Sequence, residues 1–473
     1  MDHDGTPTGS TPDHATAATR RRLLATGLAS LAGLTVAAPA ATQPRRAAAD
    51  LVSAYGLDAG ALGLRPGSPD DQTATLQRAL DRAAAAGAPL ALPPGVYRIG
   101  HVRLPDGARL VGAPGACRLV FTGGPSLLSA GNLRRVSLDG LVLDGGGRSL
   151  PAGRALLHCE TVEQLTVTGC TIADAGGLGL YAYATAGSIA DTRIIGTATV
   201  ALVTRNARGM IITRNVIDRA GDNGIQVLRF EPGEDGTLVT DNRITGVRNR
   251  SGGTGQYGNA INIYRANGVI VRGNRIADCT FSGVRGNSAS NLQIVGNTVT
   301  EVGETALYSE FEFEAAVVAN NIVDGAQTGI SIANFATGGR VAVVQGNILR
   351  NLTPRESNPD PEFLLGGGMY VEADTAATGN VVERATAVGI QIGWGRYLRD
   401  VAVTGNVVRD CGMGIGVTVV PGARSTLIGG NVITGSLRGA IVGLDHKTPV
   451  TGDLATGGAE RYPHLSISGN KIS

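Results

Sequence analysis

Aromatic side chains are scarce in this sequence: one tryptophan, 7 phenylalanines and 10 tyrosines in 473 residues. A core without them must be filled by Val, Ile, Leu and Ala, which suits flat, stacked β-branched layers better than interlocked rings. Charge is also thin, at 17% charged residues and a formal net charge of +2. That excludes both a basic field for nucleic acid and, with so few rings, a stacking platform for single strands. The 5 cysteines are an odd number, so at least one is unpaired. Prolines number 20 with no Gly-X-Y period, which excludes collagen, and 42% hydrophobic residues exclude a disordered chain. What is plentiful is glycine, at 70 residues.

Only the N-terminal region carries a long apolar run. Residues 1–19 are polar, Thr19-Arg20-Arg21-Arg22-Leu23-Leu24 follows, and a soft apolar segment reaches Ala41 past a small-residue Ala38-Pro39-Ala40 site. Basic, apolar and small-residue segments in that order make a secretory signal. Arg20 and Arg21, after a hydroxyl residue and before two leucines, resemble a twin-arginine signal. The resemblance implies the twin-arginine export machinery as a partner and a periplasmic or secreted bacterial protein. Residues 1–49 are read as signal and linker, with no membrane association after cleavage.

From about residue 140 one phrase recurs: an Asn after a small or polar residue, with an aliphatic two positions on. It reads Asn215-Val216-Ile217, Asn242-Arg243-Ile244, Asn274-Arg275-Ile276, Asn297-Thr298-Val299, Asn321-Ile322-Val323, Asn347-Ile348-Leu349 and onward to Asn470-Lys471-Ile472. Most spacings are about 22 to 27 residues, inside the solenoid range. A second phrase, a small residue and then aliphatic-x-aliphatic, follows as in Gly224-Ile225-Gln226-Val227 and Ala260-Ile261-Asn262-Ile263. A third strand precedes each Asn. Three short alternating strands per repeat predict an all-β chain, a single-stranded right-handed parallel β-helix over 116–473. The Asn column is expected to bond coil to coil, and the phrase-initial Gly or Ala to let the backbone bend between sheets. Cys279 and Cys411, five coils apart, are too distant to pair, so buried free thiols are expected.

Ahead of the coils, Asp70 to Ala83 reads as a capped amphipathic helix with Leu76, Ala79, Leu80 and Ala83 on its apolar face. Pro89 to Ile99 reads as a strand with a Pro-Pro-Gly turn. Residues 50–115 are therefore an N-terminal helix and strand cap, which covers an otherwise open apolar cross-section.

Residues two and four after the small residue point outward from one sheet. The first outward column runs Tyr181, Val203, Gln226, Asn262, Arg285, Tyr308, Ser331, Tyr370, Gln391, and the second Tyr183, Arg205, Leu228, Tyr264, Asn287, Glu310, Ala333, Glu372. Inserts at 246–258 and 352–367 are placed to wall this face into a polysaccharide groove. Gln226, Asn262, Asn287, Tyr370 and Glu372 are the expected substrate-binding residues. Two reaction types fit. In a lyase, Arg285 neutralises a uronate while Tyr264 or Tyr308 moves the proton. In a glycoside hydrolase, Glu310 works with Glu372, two coils or about 9.6 Å away, or with Glu312, about 6.6 Å away if the strand continues. Neither a metal nor another cofactor is implied by any cluster. Trp394 and Asp445-His446-Lys447 read as a packed end and a solvated loop. The alternative function is a non-catalytic cell-envelope scaffold or protein-interaction solenoid.

The stretches Gly252-Gly253-Thr254-Gly255-Gln256, Val284-Arg285-Gly286-Asn287, Asn291-Leu292-Gln293-Ile294-Val295-Gly296-Asn297 and Gly393-Trp394-Gly395-Arg396-Tyr397-Leu398-Arg399-Asp400 carry a resemblance to the twin-arginine-translocated repetitive proteins of bacteria, a family that brings no activity with it. More distantly, cap and repeats resemble pectin-active β-helix enzymes of the pectate-lyase-like superfamily. The repeats lack the Asn-Thr-Asp, Asp-Asp and Gly-His-Gly set of polygalacturonases and the Asp-Pro-His-Glu of alginate epimerases. The architecture transfers and those activities do not.

Overall fold

The computed structural model describes residues 56–333, 340–355 and 364–473. The proposed signal with Arg20 and Arg21, and 356–363 of the second insert, lie outside the described residues.

The chain coils as a right-handed parallel β-helix. One face is a 15-stranded parallel sheet running from Gly95–Ile99 to Lys471–Ile472, and a 29-stranded sheet supplies the other two faces. Alternation decides which side chains enter the core: in Arg275–Cys279, Ile276 and Cys279 are buried while Arg275 and Asp278 are exposed. The core is a continuous column of Val, Ile, Leu and Ala, with Tyr97, Phe121 and Phe313 as its largest fully buried side chains. All five cysteines are free and buried within it.

The asparagine phrase forms a ladder from Asn215 to Asn470. Each Nδ2 donates to Oδ1 of the next asparagine at 2.9–3.0 Å. Its other hydrogen goes to a carbonyl of the coil before, as from Asn297 to Val271 at 3.0 Å. Oδ1 accepts a backbone N–H as well, so each buried amide is saturated, as burial demands. The residue before each asparagine is left-handed, with φ of 68° at Gly273, 67° at Gly296 and 57° at Asn320. This is why a small or polar residue stands there.

The phrase-initial glycines serve a different end from the one expected. Gly283 and Gly329 are not left-handed; a Cβ there would lie 2.7 Å and 2.4 Å from a carbonyl oxygen of the next coil. Close stacking of coils, rather than a special turn, holds those positions small.

Helix α1, Thr73–Ala85, lays Leu76, Ala79, Leu80 and Ala83 on the first coils. No side chain of its N-cap residue, Gln72, closes its start; Asp71 Oδ1 instead accepts the Thr73 N–H at 2.9 Å. At the far end Ile441–Asp445 and Thr448–Asp453 pair antiparallel, turning through His446 and Lys447, and His446 meets the Trp394 ring edge-on at 5.1 Å.

Candidate functional site

The registers of the central face join the first outward column in the expected order. Tyr181 pairs with Val203, Val203 with Gln226, Gln226 with Asn262, Asn262 with Arg285, Arg285 with Tyr308, Tyr308 with Ser331, Ser331 with Tyr370 and Tyr370 with Gln391. The second column follows alongside from Tyr183 through Arg205, Leu228, Tyr264, Asn287 and Glu310 to Ala333. Outward, however, does not mean exposed.

At its centre Arg285 sits between two carboxylates. Its Nε donates to Glu310 Oε1 at 2.6 Å and its Nη2 to Glu310 Oε2 at 3.0 Å, a bidentate pair, while Nη1 reaches Glu304 Oε2 at 3.3 Å. Asn287 Nδ2 donates to Glu310 Oε1, and Ser282 Oγ to Glu304 Oε2. The guanidinium lies 5.1 Å from the Tyr308 ring centre. Burial works against the charge of Arg285, but Glu310 and Glu304 outweigh it and carry the pKa above the ordinary arginine value. Burial first, and then the Glu310 charge, push the Tyr308 hydroxyl well above its usual range.

The cover over this cluster comes from the first insert. Gly255 is set so close that a Cβ on it would lie 2.2 Å from Arg285 Nη1. Gln256 O accepts Nδ2 of both Asn223 and Asn262. Glu310, at 1% exposure, Gln226 and Asn262 are accordingly buried, and Glu372, farther along the column, is buried too. Tyr370 donates its hydroxyl to Leu364 O, and burial raises its pKa. Glu312 does not share a strand with Glu310: Thr305–Glu310 ends there, Phe311 is left-handed at φ 63°, and Glu312 turns to solvent.

Toward the N-terminal end the same face opens. The first column continues through His158 and Ser129, and the second through Glu160 and Gly131, all supplied by neighbouring strands. His158 is buried and stacks on Tyr181 with ring centres 4.7 Å apart. Its Nε2 lies 2.8 Å from Glu160 Oε1 and 3.0 Å from Arg154 Nη1, and Glu160 is half exposed. Tyr183, Arg205, Leu228 and Tyr264 are half-buried, and Phe230 is 52% exposed. Arg205 caps the Phe230 ring at 5.0 Å, and Arg265 caps Tyr264 at 4.9 Å. Neither guanidinium has an ion-pair partner among the described residues, unlike Arg214 on Asp191 or Arg248 on Asp278.

Of the nine residues expected to bind or react, the structure gathers Arg285, Asn287 and Tyr308, all half-buried, around the buried Glu310 and packs Asn262 under the same insert. Tyr264 stands apart on the open stretch. Glu304, His158 and Glu160 escaped the sequence reading. Glu304 precedes the small-residue phrase, at a corner that neither column samples. His158 and Glu160 lie on Ala155–Thr168, a strand bent at Thr161 where φ is 55° and in which Leu156 takes the place of the small residue that opens the phrase in the next coil.

A family model described as a right handed beta helix region matches residues 230–348. Among solved structures, the chain is similar to the catalytic unit of a thermostable GH87 α-1,3-glucanase from Streptomyces thermodiastaticus, at 13% identity over 92% of this chain and 70% of that one, TM-score 0.49. It is similar also to the mannuronan C-5 epimerase AlgE6 A-module of Azotobacter vinelandii, at 16% identity over 88% and 99%, TM-score 0.41. A third is the Streptococcus pneumoniae surface protein and adhesin PfbA, at 12% identity over 88% and 97%, TM-score 0.38. At these values none carries an activity to this chain. No curated protein matches it.

Proposed function

We propose that this protein binds a polysaccharide along the open stretch of its central face and acts on it there. The observation that carries the reading is the set of accessible rings along four coils, Tyr181 and Tyr183 on one strand, Phe230 two coils on and Tyr264 on the next, edged by Arg205, Arg265 and Glu160. Coils repeat about every 4.8 Å, close to the length of one pyranose ring, so rings spread over four coils offer apolar faces along a short run of sugars. The charged edge supplies the few polar groups that fix orientation. Glucanase and epimerase activities among similar folds agree with a glycan substrate without specifying one. Titration calorimetry against polygalacturonate, alginate, xylan and soluble glucans tests the reading. Binding to at least one is expected, weakened about fivefold or more by Tyr183→Ala or Tyr264→Ala; no heat with any glycan defeats it.

Export through the twin-arginine route, and a periplasmic or secreted location, belong to the same reading. Replacing Arg20 and Arg21 by Lys together should hold the protein in the cytoplasm, as fractionation would read.

A second reading, an interaction scaffold, has its own support. On the 15-stranded sheet the outward residues Ile322, Ile348, Val381, Val407 and Val432 form an unbroken aliphatic stripe. Beside Val343, Ala376, Ala402 and Leu427 lies an open groove of about 750 Å³. If this surface is the functional one, Val381→Asp with Val407→Asp should abolish the biological role while glycan binding survives.

A further inference from the structure

The open stretch holds three groups whose spacing specifies more than binding. Glu160, Tyr183 and Arg205 occupy consecutive places in the second outward column, Glu160 paired with Tyr183 and Tyr183 with Arg205. At about 4.8 Å per coil the two charged residues stand about 9.6 Å apart at their backbones, with a tyrosine ring between them. Arg205 has no carboxylate partner among the described residues, so its charge is available to an anionic group. Glu160 is half exposed and stands next to Tyr183 in the register of the two strands.

His158 defines how Glu160 is held. One imidazole nitrogen, Nε2, lies within hydrogen-bond distance of both Glu160 Oε1 and Arg154 Nη1. Carrying a proton, it donates to Glu160 and leaves Arg154 facing the same carboxylate oxygen at 3.7 Å; without one, it accepts from Arg154 and loses Glu160. The Nε2–H form therefore fixes one carboxylate oxygen and leaves the other to the open face.

We propose that Glu160 is the base, and Arg205 the carboxylate-holding group, of a site for a uronate residue of an acidic glycan seated on Tyr183. The proposal rests on the polysaccharide reading above and names its substrate class and reaction. The step is a β-elimination. Glu160 takes the proton from the carbon bearing the uronate carboxylate, and the released electron pair forms the C4=C5 double bond. The C4–O bond breaks, and the leaving oxygen takes a proton from solvent water. Arg205 neutralises the carboxylate, which stabilises the charge that develops next to it. No oxidant or reductant enters. His158 and Arg154 are positioning residues, since they touch Glu160 and not the sugar.

The test uses the mature protein with polygalacturonate and alginate, and neutral xylan as control, reading unsaturated product at 235 nm alongside calorimetric binding. Glu160→Gln should bind an acidic glycan within about threefold of wild type and lose turnover by about 100-fold or more. Arg205→Ala should raise Kd and KM by about tenfold, with Arg205→Lys recovering part. His158→Gln should lower kcat by about tenfold with KM unchanged and move the acidic limb of the pH profile, which a merely structural residue would not do. Binding of an acidic glycan with no 235 nm product, or wild-type turnover in Glu160→Gln, overturns this site while the polysaccharide reading stands. Absence of binding to every glycan removes both.

Discussion

Arg285 and Arg205 lie on one sheet face three coils apart, project from the same side, and live in opposite electrostatic worlds. Arg285 is enclosed by Glu310, Glu304 and the Gly255 backbone, with only 13% of its side chain exposed. Arg205 rests on the Phe230 ring, with no ion pair among the described residues. Both belong to outward columns in regular register. The difference is the insert that closes over one and leaves the other. In a β-helix, therefore, column position decides direction, and only the departures from the repeat decide accessibility.

The largest expected effect breaks that contrast at its buried end. Arg285→Met removes the cation and leaves two carboxylates under cover, a change that costs about 3–5 kcal/mol when one partner of a buried pair is deleted. Urea unfolding of wild type and variant reads it directly. A loss below about 1 kcal/mol would mean that water reaches the cluster and that the two halves of the face do not differ.

The cover itself comes next. Gly255→Val places carbon where Arg285 Nη1 now stands, so the insert must lift or the arginine must leave Glu304. Overpacking of this kind costs about 1–3 kcal/mol. Faster amide hydrogen exchange through 250–258, with the coil cores unchanged, would show lifting of the insert alone. Uniform loss of protection would instead make the insert part of the structural core.

The order of both columns could be read in advance because the phrase-initial small residue and the period-two alternation set direction without reference to anything distant. The ladder from Asn215 to Asn470 was equally legible, each asparagine finding its neighbour through a spacing that varies only by the length of the loops. Burial of Glu310 and Gln226 was not, since it depends on where 246–258 folds back, and that segment has no period. The Glu312 pairing failed on one residue, Phe311, whose left-handed backbone ends the strand. His158 and Glu160 were passed over because Leu156 stands on their strand where the next coil has Gly179, the small residue that opens the phrase. A third column drawn through the corners would have found Glu304.

A smaller effect separates the two regions by pH. Burial lowers the pKa of His158, with Arg154 adding to the depression and Glu160 opposing it. The unfolded imidazole, near 6.5, takes up a proton before the folded one does. Stability is thus unaffected by this group above that pH and falls as pH drops below it. His158→Gln should flatten this part of the stability profile between pH 7 and 5. His101, also lowered chiefly by burial, remains as a residual slope. His158 lies on the open stretch, so this histidine-borne part of the profile reports that region.

The smallest expected effect is the sharpest comparison. Arg205→Ala deletes the same residue type from the same face as Arg285→Met, but what it removes is a guanidinium over a half-exposed ring, worth about 0.5–1 kcal/mol at such sites. Unfolding should therefore shift by less than about 1 kcal/mol, within the range of ordinary surface substitutions. A cation that costs little to lose and is neutralised by no neighbour among the described residues is not held there by the fold's own needs. A loss as large as that of Arg285→Met would place Arg205 in a buried network and remove it from any accessible site. A near-neutral result, with the acidic-glycan affinity lowered about tenfold in the same variant, separates the two arginines cleanly into one that holds the coils and one that faces a ligand.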